Sequence, residues 1–247
     1  MTDDIHRARE LLDHATAVAV LTGAGISAES GIPTFRDALT GLWANFRPED
    51  LATPEAFEAN PKLVWDWYAW RRGAVANALP NAGHRALVAI ERQCREHQVD
   101  FTLITQNVDG LHWAAGSLRV VELHGNIRRV KCFDQGHAVD RWEAGEQVPT
   151  CPQCGSLLRP DVVWFGEALP SDALAAAFAA ARTCDLFFCV GTSTVVEPAA
   201  SLPFLALESG ARVIELNSAA TPLTPHATVS LRGTAAQLLP ALALQGQ

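Results

Sequence analysis

A short apolar run, Val18 to Leu21, gives way through Thr22 to Gly23-Ala24-Gly25. Such a run, bounded by glycine, reads as a buried parallel strand. Glycines directly after it allow a tight turn and a close backbone approach to a pyrophosphate, with free N–H groups facing the anion. The same residues serve equally well as an ordinary strand-to-helix turn, because glycine relieves any strained loop. The continuation is less ordinary. Gly31, Ile32 and Pro33 interrupt the helical pattern within two turns, and Phe35, Arg36 and Asp37 fall in a loop. An aromatic and a guanidinium beside a phosphate site can close over a ligand.

The pattern recurs along the chain. Val99–Thr105 ends in Gln106-Asn107, Leu186–Val190 in Gly191-Thr192-Ser193, and Arg212–Leu216 at Asn217, while Leu118–Leu123 ends at His124-Gly125. Helices are expected over Ile5–Ala15, Ala82–Gln98, Ser171–Arg182, Pro198–Ser209 and Thr234–Leu244. Strands alternating with helices predict an α/β fold, a doubly wound, Rossmann-like parallel sheet with ligands beyond the strands' carboxyl ends. Four strand tips rich in glycine, amide or hydroxyl groups are the strongest residue-level argument for a nucleotide site. Between Ala38 and Pro80 the pattern turns helical and aromatic, with Pro48, Pro54 and Pro61 cutting it into short helices; Lys131 to Pro160 is polar and loop-rich. The expected organisation is a nucleotide-binding domain from 1–37, 81–125 and 161–247. A helical insertion (38–80) and a zinc-ribbon-like insertion (126–160) form a smaller module.

The net charge of −8 argues against nonspecific nucleic-acid binding, which rests on phosphate neutralisation. The first fifteen residues, MTDDIHRARELLDHA, read as a charged amphipathic helix without the basic and apolar regions of a signal peptide. No apolar run approaches a membrane span. Six cysteines whose spacing suggests no disulfide framework point to a reducing cytoplasm. No Asp or Glu ends a second strand about 20 residues after the glycines, as a dehydrogenase needs for the adenosine ribose.

The run GAGISAESGIPTFRD, Gly23 to Asp37, resembles the nucleotide loop of the sirtuins, the NAD-dependent lysine deacylases. Further blocks similar to that family follow in family order, roughly from Val18 to Thr234. The resemblance implies NAD as co-substrate, held by Gly23, Ala24, Gly25, Ile26, Thr34, Phe35, Arg36, Gln106, Asn107, Asp109, Gly191, Thr192, Ser193, Asn217, Thr234 and Ala235. It implies His124 as catalytic base, with Asn107 and Asp109 beside it. A lone histidine after a strand is more often structural, although an imidazole pKa of about 6.5 suits a base near neutrality. Likewise Gln106, Asn107 and Asp109 read on their own as an Asx-turn and helix cap. In the implied reaction an acyl-lysine oxygen attacks C1′ of the nicotinamide ribose and nicotinamide leaves. His124 then takes a ribose hydroxyl proton so that the 2′-oxygen attacks the resulting alkylimidate. Water completes release of lysine and 2′-O-acyl-ADP-ribose.

Val162 to Glu167, VVWFGE, reads on its own as a core strand; in sirtuins the similar block lines the acyl-lysine tunnel and pairs with the substrate backbone. Val163, Trp164, Phe165 and Glu167 are the contacts implied. Tyr68 and Arg71 lie three apart in WDWYAWRRG and share a helix face. They are a core tyrosine and a surface arginine, or, as in sirtuins resembling the mitochondrial desuccinylase, the pair that binds an acyl carboxylate through a guanidinium fork and a phenol. Ala52 matches the small residue that leaves room for the longer acyl chain. Succinyl, malonyl and glutaryl removal is therefore expected, with weaker deacetylation; an ordinary deacetylase and a mono-ADP-ribosyltransferase are the alternatives. Acylated lysines of proteins are the expected partners, with no nucleic acid or membrane, and the chain is expected to be a monomer.

Cys151-Pro152-Gln153-Cys154 is a good half-site for structural zinc. Its partner half-site is incomplete: three residues after Cys132 stands Gln135, a poor ligand. His137, Asp134 or water completes the site, or no zinc binds.

Overall fold

The computed structural model describes residues 2–32, 45–143 and 145–243. Helix α1 (Thr2–Asp13) leads into β1 (Ala17–Thr22); α2 (Pro54–Ala59), α3 (Pro61–Asn77) and α4 (Ala82–Glu96) precede β2 (Asp100–Thr105). Then come α5 (Leu111–Ala115), β3 (Val120–Glu122), β4 (Gly125–Cys132), β5 (Ala138–Val139) and β6 (Leu158–Val162). The chain closes with α6 (Ser171–Thr183), β7 (Leu186–Val190), α7 (Leu202–Glu208), β8 (Arg212–Asn217), β9 (Val229–Arg232) and α8 (Ala235–Leu242). Among the described residues no helix is long and apolar enough to cross a membrane.

Six strands form one sheet in the order β3-β2-β1-β7-β8-β9, with every neighbouring pair parallel. The two-residue period of the strands divides the core. Val18 and Val20 of β1 pack with Phe188 and Val190 of β7 under α1, α4 and α8, whereas Ala19, Leu21, Phe187 and Cys189 pack under α6 and α7. Continuous apolar strands are thus explained by burial on both faces. The chain runs outward from β1 to β2 and β3, then returns to build β7, β8 and β9 on the other side. The switch point lies between β1 and β7, the place where open parallel sheets hold their ligands.

A second, antiparallel sheet, β5-β4-β6, carries the cysteine-rich segment. Its face packs with α2 and α3 around Leu51, Phe57, Trp67, Ile127 and Trp164. Proline is more often a start than a break here: Pro54 and Pro61 open α2 and α3 behind the caps Thr53 and Asn60, and α3 runs 17 residues rather than being cut short. Of Val162–Glu167 only Val162 belongs to a strand. Gly166 has φ +86° and Glu167 N–H bonds back to the Trp164 carbonyl, so the segment turns instead of extending.

Candidate active site

The first glycine loop does not continue as an α-helix but as two short 3₁₀ turns, Ala24–Ile26 and Ala28–Ser30. It lies against the tip of β7. A Cβ on Gly23 would stand 2.7 Å from the Thr192 Cβ, and one on Gly25 2.7 Å from the Gly191 Cα. Both glycines are therefore required by the crossing of two backbones, whatever else they touch. Gly25 N–H bonds the Gly191 carbonyl at 2.8 Å, Asn217 Nδ2 bonds the Thr192 carbonyl at 2.8 Å, and Gln106 Nε2 donates to Thr192 Oγ1 at 2.8 Å. The tips of β2, β1, β7 and β8 are thereby joined along one edge. Thr234 and Ala235 open α8 nearby, where Glu29 of the loop accepts the Ala236 N–H at 3.1 Å. Thr34, Phe35 and Arg36 lie outside the described residues.

Beside this edge is a cavity of about 330 Å³, lined by Ala24 and Ser27 from the first loop, Gln106, Asn107 and Asp109 after β2, His124 after β3, Ala52, Tyr68 and Arg71 from the smaller module, and Val162–Glu167 at and beyond the end of β6. Residues from both modules thus meet in one space. Val163 N–H bonds the His124 carbonyl and Phe165 N–H the Ala52 carbonyl, each at 2.9 Å, which ties the 162–167 segment to both sides.

His124 Nδ1 lies 2.9 Å from the Gln106 carbonyl. A carbonyl only accepts, so Nδ1 carries the proton and Nε2 keeps a lone pair for the cavity. Burial pushes the His124 pKa below its ordinary value, partly offset by that hydrogen bond. The imidazole is therefore neutral, with a free basic nitrogen, at neutral pH. Gly125 makes this placement possible: at φ +76°, a Cβ would sit 2.2 Å from the Asp161 carbonyl oxygen.

Asp109 is buried; desolvation raises its pKa, while the Leu111 N–H, the Ser27 hydroxyl and the charges of Arg128 and Arg71 act the other way. Ser27 Oγ donates to Asp109 Oδ2 at 2.7 Å and accepts from Asn107 Nδ2 at 3.1 Å. Ser27 is a residue that sequence reasoning missed, since a serine inside a glycine-rich loop has no distinguishing pattern. Arg159, in β6, was missed as well. It forms a two-point ion pair with Glu167, whose carboxylate also accepts the Trp164 N–H at 2.7 Å. Glu167 is thus fully engaged within its own segment.

On the far wall, Tyr68 is buried and Arg71 half-buried, the guanidinium lying 4.8 Å from the Trp67 ring centre and 5.6 Å from that of Tyr68. Burial lowers the Arg71 pKa, countered by Tyr68 and Asp109. Ala52 is buried at the same wall.

The cysteines form a separate cluster. The donor atoms of Cys132, His137, Cys151 and Cys154 all lie within 4.8 Å of one another. Gln135 meets Cys132 through its backbone, N–H to Sγ at 3.4 Å. Two sulfurs on a tetrahedral zinc stand about 3.8 Å apart, given Zn–S near 2.3 Å; the Cys132 and Cys154 sulfurs are 3.4 Å apart and Cys151 Sγ is 3.6 Å from His137 Nδ1. The donor set fits a closed, structural site.

Residues 23–198 match the model of the Sir2 family. An NAD-dependent protein deacylase from Aquifex aeolicus (strain VF5) is 55% identical over 219 residues, covering 87% of this chain and 89% of its own. A crystal structure of a Sir2 homologue–NAD complex superimposes with a TM-score of 0.89 at 46% identity, covering 96% of this chain and 92% of the other. A Sir2–p53 peptide–NAD⁺ structure matches with a TM-score of 0.80 at 32% identity, covering 94% and 93%. The relatives span nearly the whole fold and its cleft, and the chain belongs to the Sir2 family of NAD-dependent protein deacylases.

Proposed function

We propose that this deacylase acts on protein lysines carrying acidic acyl groups, succinyl, malonyl and glutaryl, and on acetyl-lysine less efficiently. The observation that carries the reading is the Tyr68–Arg71 pair on the wall of a largely apolar cavity that also holds His124 and Asp109. A half-buried guanidinium lining an apolar cavity can hold a carboxylate in its fork through charge-assisted hydrogen bonds. Buried Ala52 leaves space for the longer chain. A neutral acetyl group has nothing to offer Arg71.

In this reading the β1, β2, β7 and β8 tips bind NAD, and the acyl-lysine enters past Val163 to Phe165, consistent with the NAD and p53-peptide complexes of related Sir2 proteins. Asn107 and Asp109, tied together through Ser27, orient the nicotinamide ribose. His124 Nε2 accepts the ribose hydroxyl proton. Zinc, held by Cys132, Cys151, Cys154 and His137, anchors the β4–β6 module and takes no part in chemistry. Six cysteines without a disulfide among them support a reducing, cytoplasmic home.

The test is NAD-dependent release of nicotinamide and free lysine from one peptide carrying succinyl, malonyl, glutaryl or acetyl, with wild type and Arg71→Met. Succinyl is expected to exceed acetyl in kcat/KM. Loss of one charge-assisted contact in Arg71→Met should lower that ratio by about 10- to 100-fold. Wild-type preference for acetyl would sink the acidic-acyl reading. Label from NAD left on protein would instead indicate ADP-ribosyl transfer.

A further inference from the structure

Tyr68 Oη accepts the Trp164 indole N–H at 3.0 Å, in a fully buried contact. Its charged neighbours are Arg71, Arg159 and Glu167, of which Arg71 acts most strongly, while the Glu167 carboxylate is taken up by Arg159 and the Trp164 backbone N–H. Indole N–H and guanidinium are both donors without acceptor capacity. Neither can take the phenolic proton, and among the described residues Tyr68 donates no hydrogen bond. The proton is thus left for whatever occupies the cavity, and an acceptor there meets two donors, Tyr68 and Arg71. Donation from Trp164 also polarises the phenol and makes it a better donor.

Trp164 is held from three sides. The Arg159 guanidinium lies 3.3 Å from its ring centre. Glu167, itself ion-paired to Arg159, accepts the Trp164 backbone N–H. Phe57 and Phe133 pack at ring-centre distances of 5.4 and 6.4 Å. Trp164 is 2% exposed, so the indole N–H has no freedom to turn from Tyr68.

We infer that Trp164 is a positioning residue for acyl selectivity: its indole N–H fixes the Tyr68 hydroxyl as a donor to the carboxylate of an acidic acyl chain. The inference rests on the acidic-acyl reading. Replacing Trp164 by an aromatic without an N–H frees Tyr68 to rotate and to present a lone pair, which repels a carboxylate.

The experiment compares succinyl- and acetyl-lysine versions of one peptide in wild type, Trp164→Phe, Tyr68→Phe, Arg71→Met and the Trp164→Phe/Tyr68→Phe double variant. Trp164→Phe should lower the succinyl-to-acetyl ratio of kcat/KM by about five- to tenfold, the range of one buried hydrogen bond, chiefly through KM for the succinyl peptide. In the Tyr68→Phe background the same change should lower the ratio no further, because its effect passes through that hydroxyl. An unchanged ratio in Trp164→Phe, or losses that simply multiply in the double variant, would overturn the inference. If Arg71→Met collapses the ratio and Trp164→Phe does not, only the role of Trp164 fails; if wild type has no succinyl preference, both readings fall. Should Trp164→Phe not fold, 3-benzothienylalanine at position 164 keeps the ring's size, replaces the N–H by sulfur, and carries the same expectation.

Discussion

Acid should destabilise this fold through two histidines that take no part in the proposed chemistry. His84 and His112 are 0% and 2% exposed, with ring centres 5.0 Å apart behind the β1–β2 edge. Burial lowers their pKa values to about 4 and about 3, and each ring's neighbour of like sign, Arg85 for His84 and His84 for His112, adds to the effect. The hydrogen bonds explain why neither accepts a proton. His84 Nδ1 already accepts the Asn81 N–H at 3.3 Å, and His112 Nδ1 is buried with no partner for an added N–H. In the unfolded chain both titrate near 6.5, so below that pH the unfolded state binds protons that the folded state refuses, and stability falls as pH falls. At pH 5 each ring costs about 2 kcal/mol, or about 4 kcal/mol together, against a typical total of about 5–15 kcal/mol. His124 acts in the same direction. Glu215, Glu167 and Asp185, whose pKa values are lowered, begin to cost stability only near and below their ordinary range, and Asp109, raised by burial, opposes the trend. The window from pH 6.5 to 5 therefore belongs to the histidines. Equilibrium urea unfolding, followed by tryptophan fluorescence at constant ionic strength, should give a slope approaching about 2.7 kcal/mol per pH unit, falling by about half in His112→Gln. The same slope in variant and wild type, or flat stability across the window, would refute the account.

Gly125→Ala should abolish activity and cost at least about 3 kcal/mol in urea unfolding, since the new Cβ collides with the Asp161 carbonyl at a positive φ. His124→Ala should lower kcat for deacylation by about 10²- to 10⁴-fold, and the wild-type acid limb of kcat/KM should lie below pH 6.5, as burial lowers that imidazole's pKa; a limb above 7 would contradict the geometry. The purified protein should carry one zinc per chain by elemental analysis, lost in Cys151→Ser with a lower Tm and retained in Gln135→Ala, because Gln135 meets the cluster through its backbone N–H. Glu215→Ala should cost about 3–5 kcal/mol, as it strands Thr221, Thr224, Ser230 and Arg232 around a buried carboxylate site.

The parallel sheet and the polar edge formed by its strand tips were legible because apolar strands and polar tips are local signals. The runs around Val18, Leu103 and Phe188 each end in glycine, amide or hydroxyl residues, and the sheet sets those ends side by side. Of the two readings of VVWFGE, the core strand holds only as far as Val162, since β propensity beyond it serves packing by Trp164 and not a ladder. His137 could be weighed only against Asp134 and water, as spacing carries no geometry; the β4–β5 pairing brings its ring to the sulfurs. The Trp164–Tyr68 bond and the Ser27–Asp109 bond join residues 96 and 82 positions apart, and no local pattern encodes such pairings.

The crossing of the first glycine loop with the tip of β7 has a consequence for how the chain acquires its structure. Strand β1 pairs with β2, 83 residues onward, and with β7, 168 residues onward. During synthesis an apolar central strand therefore waits for both partners, with most of the chain emerging in between. Such distant pairings are slow to form and leave sticky edges exposed meanwhile. The edge proposed to bind NAD depends on the last of them, so on that reading the site belongs to the late events of folding, and no early intermediate can be rescued by its ligand.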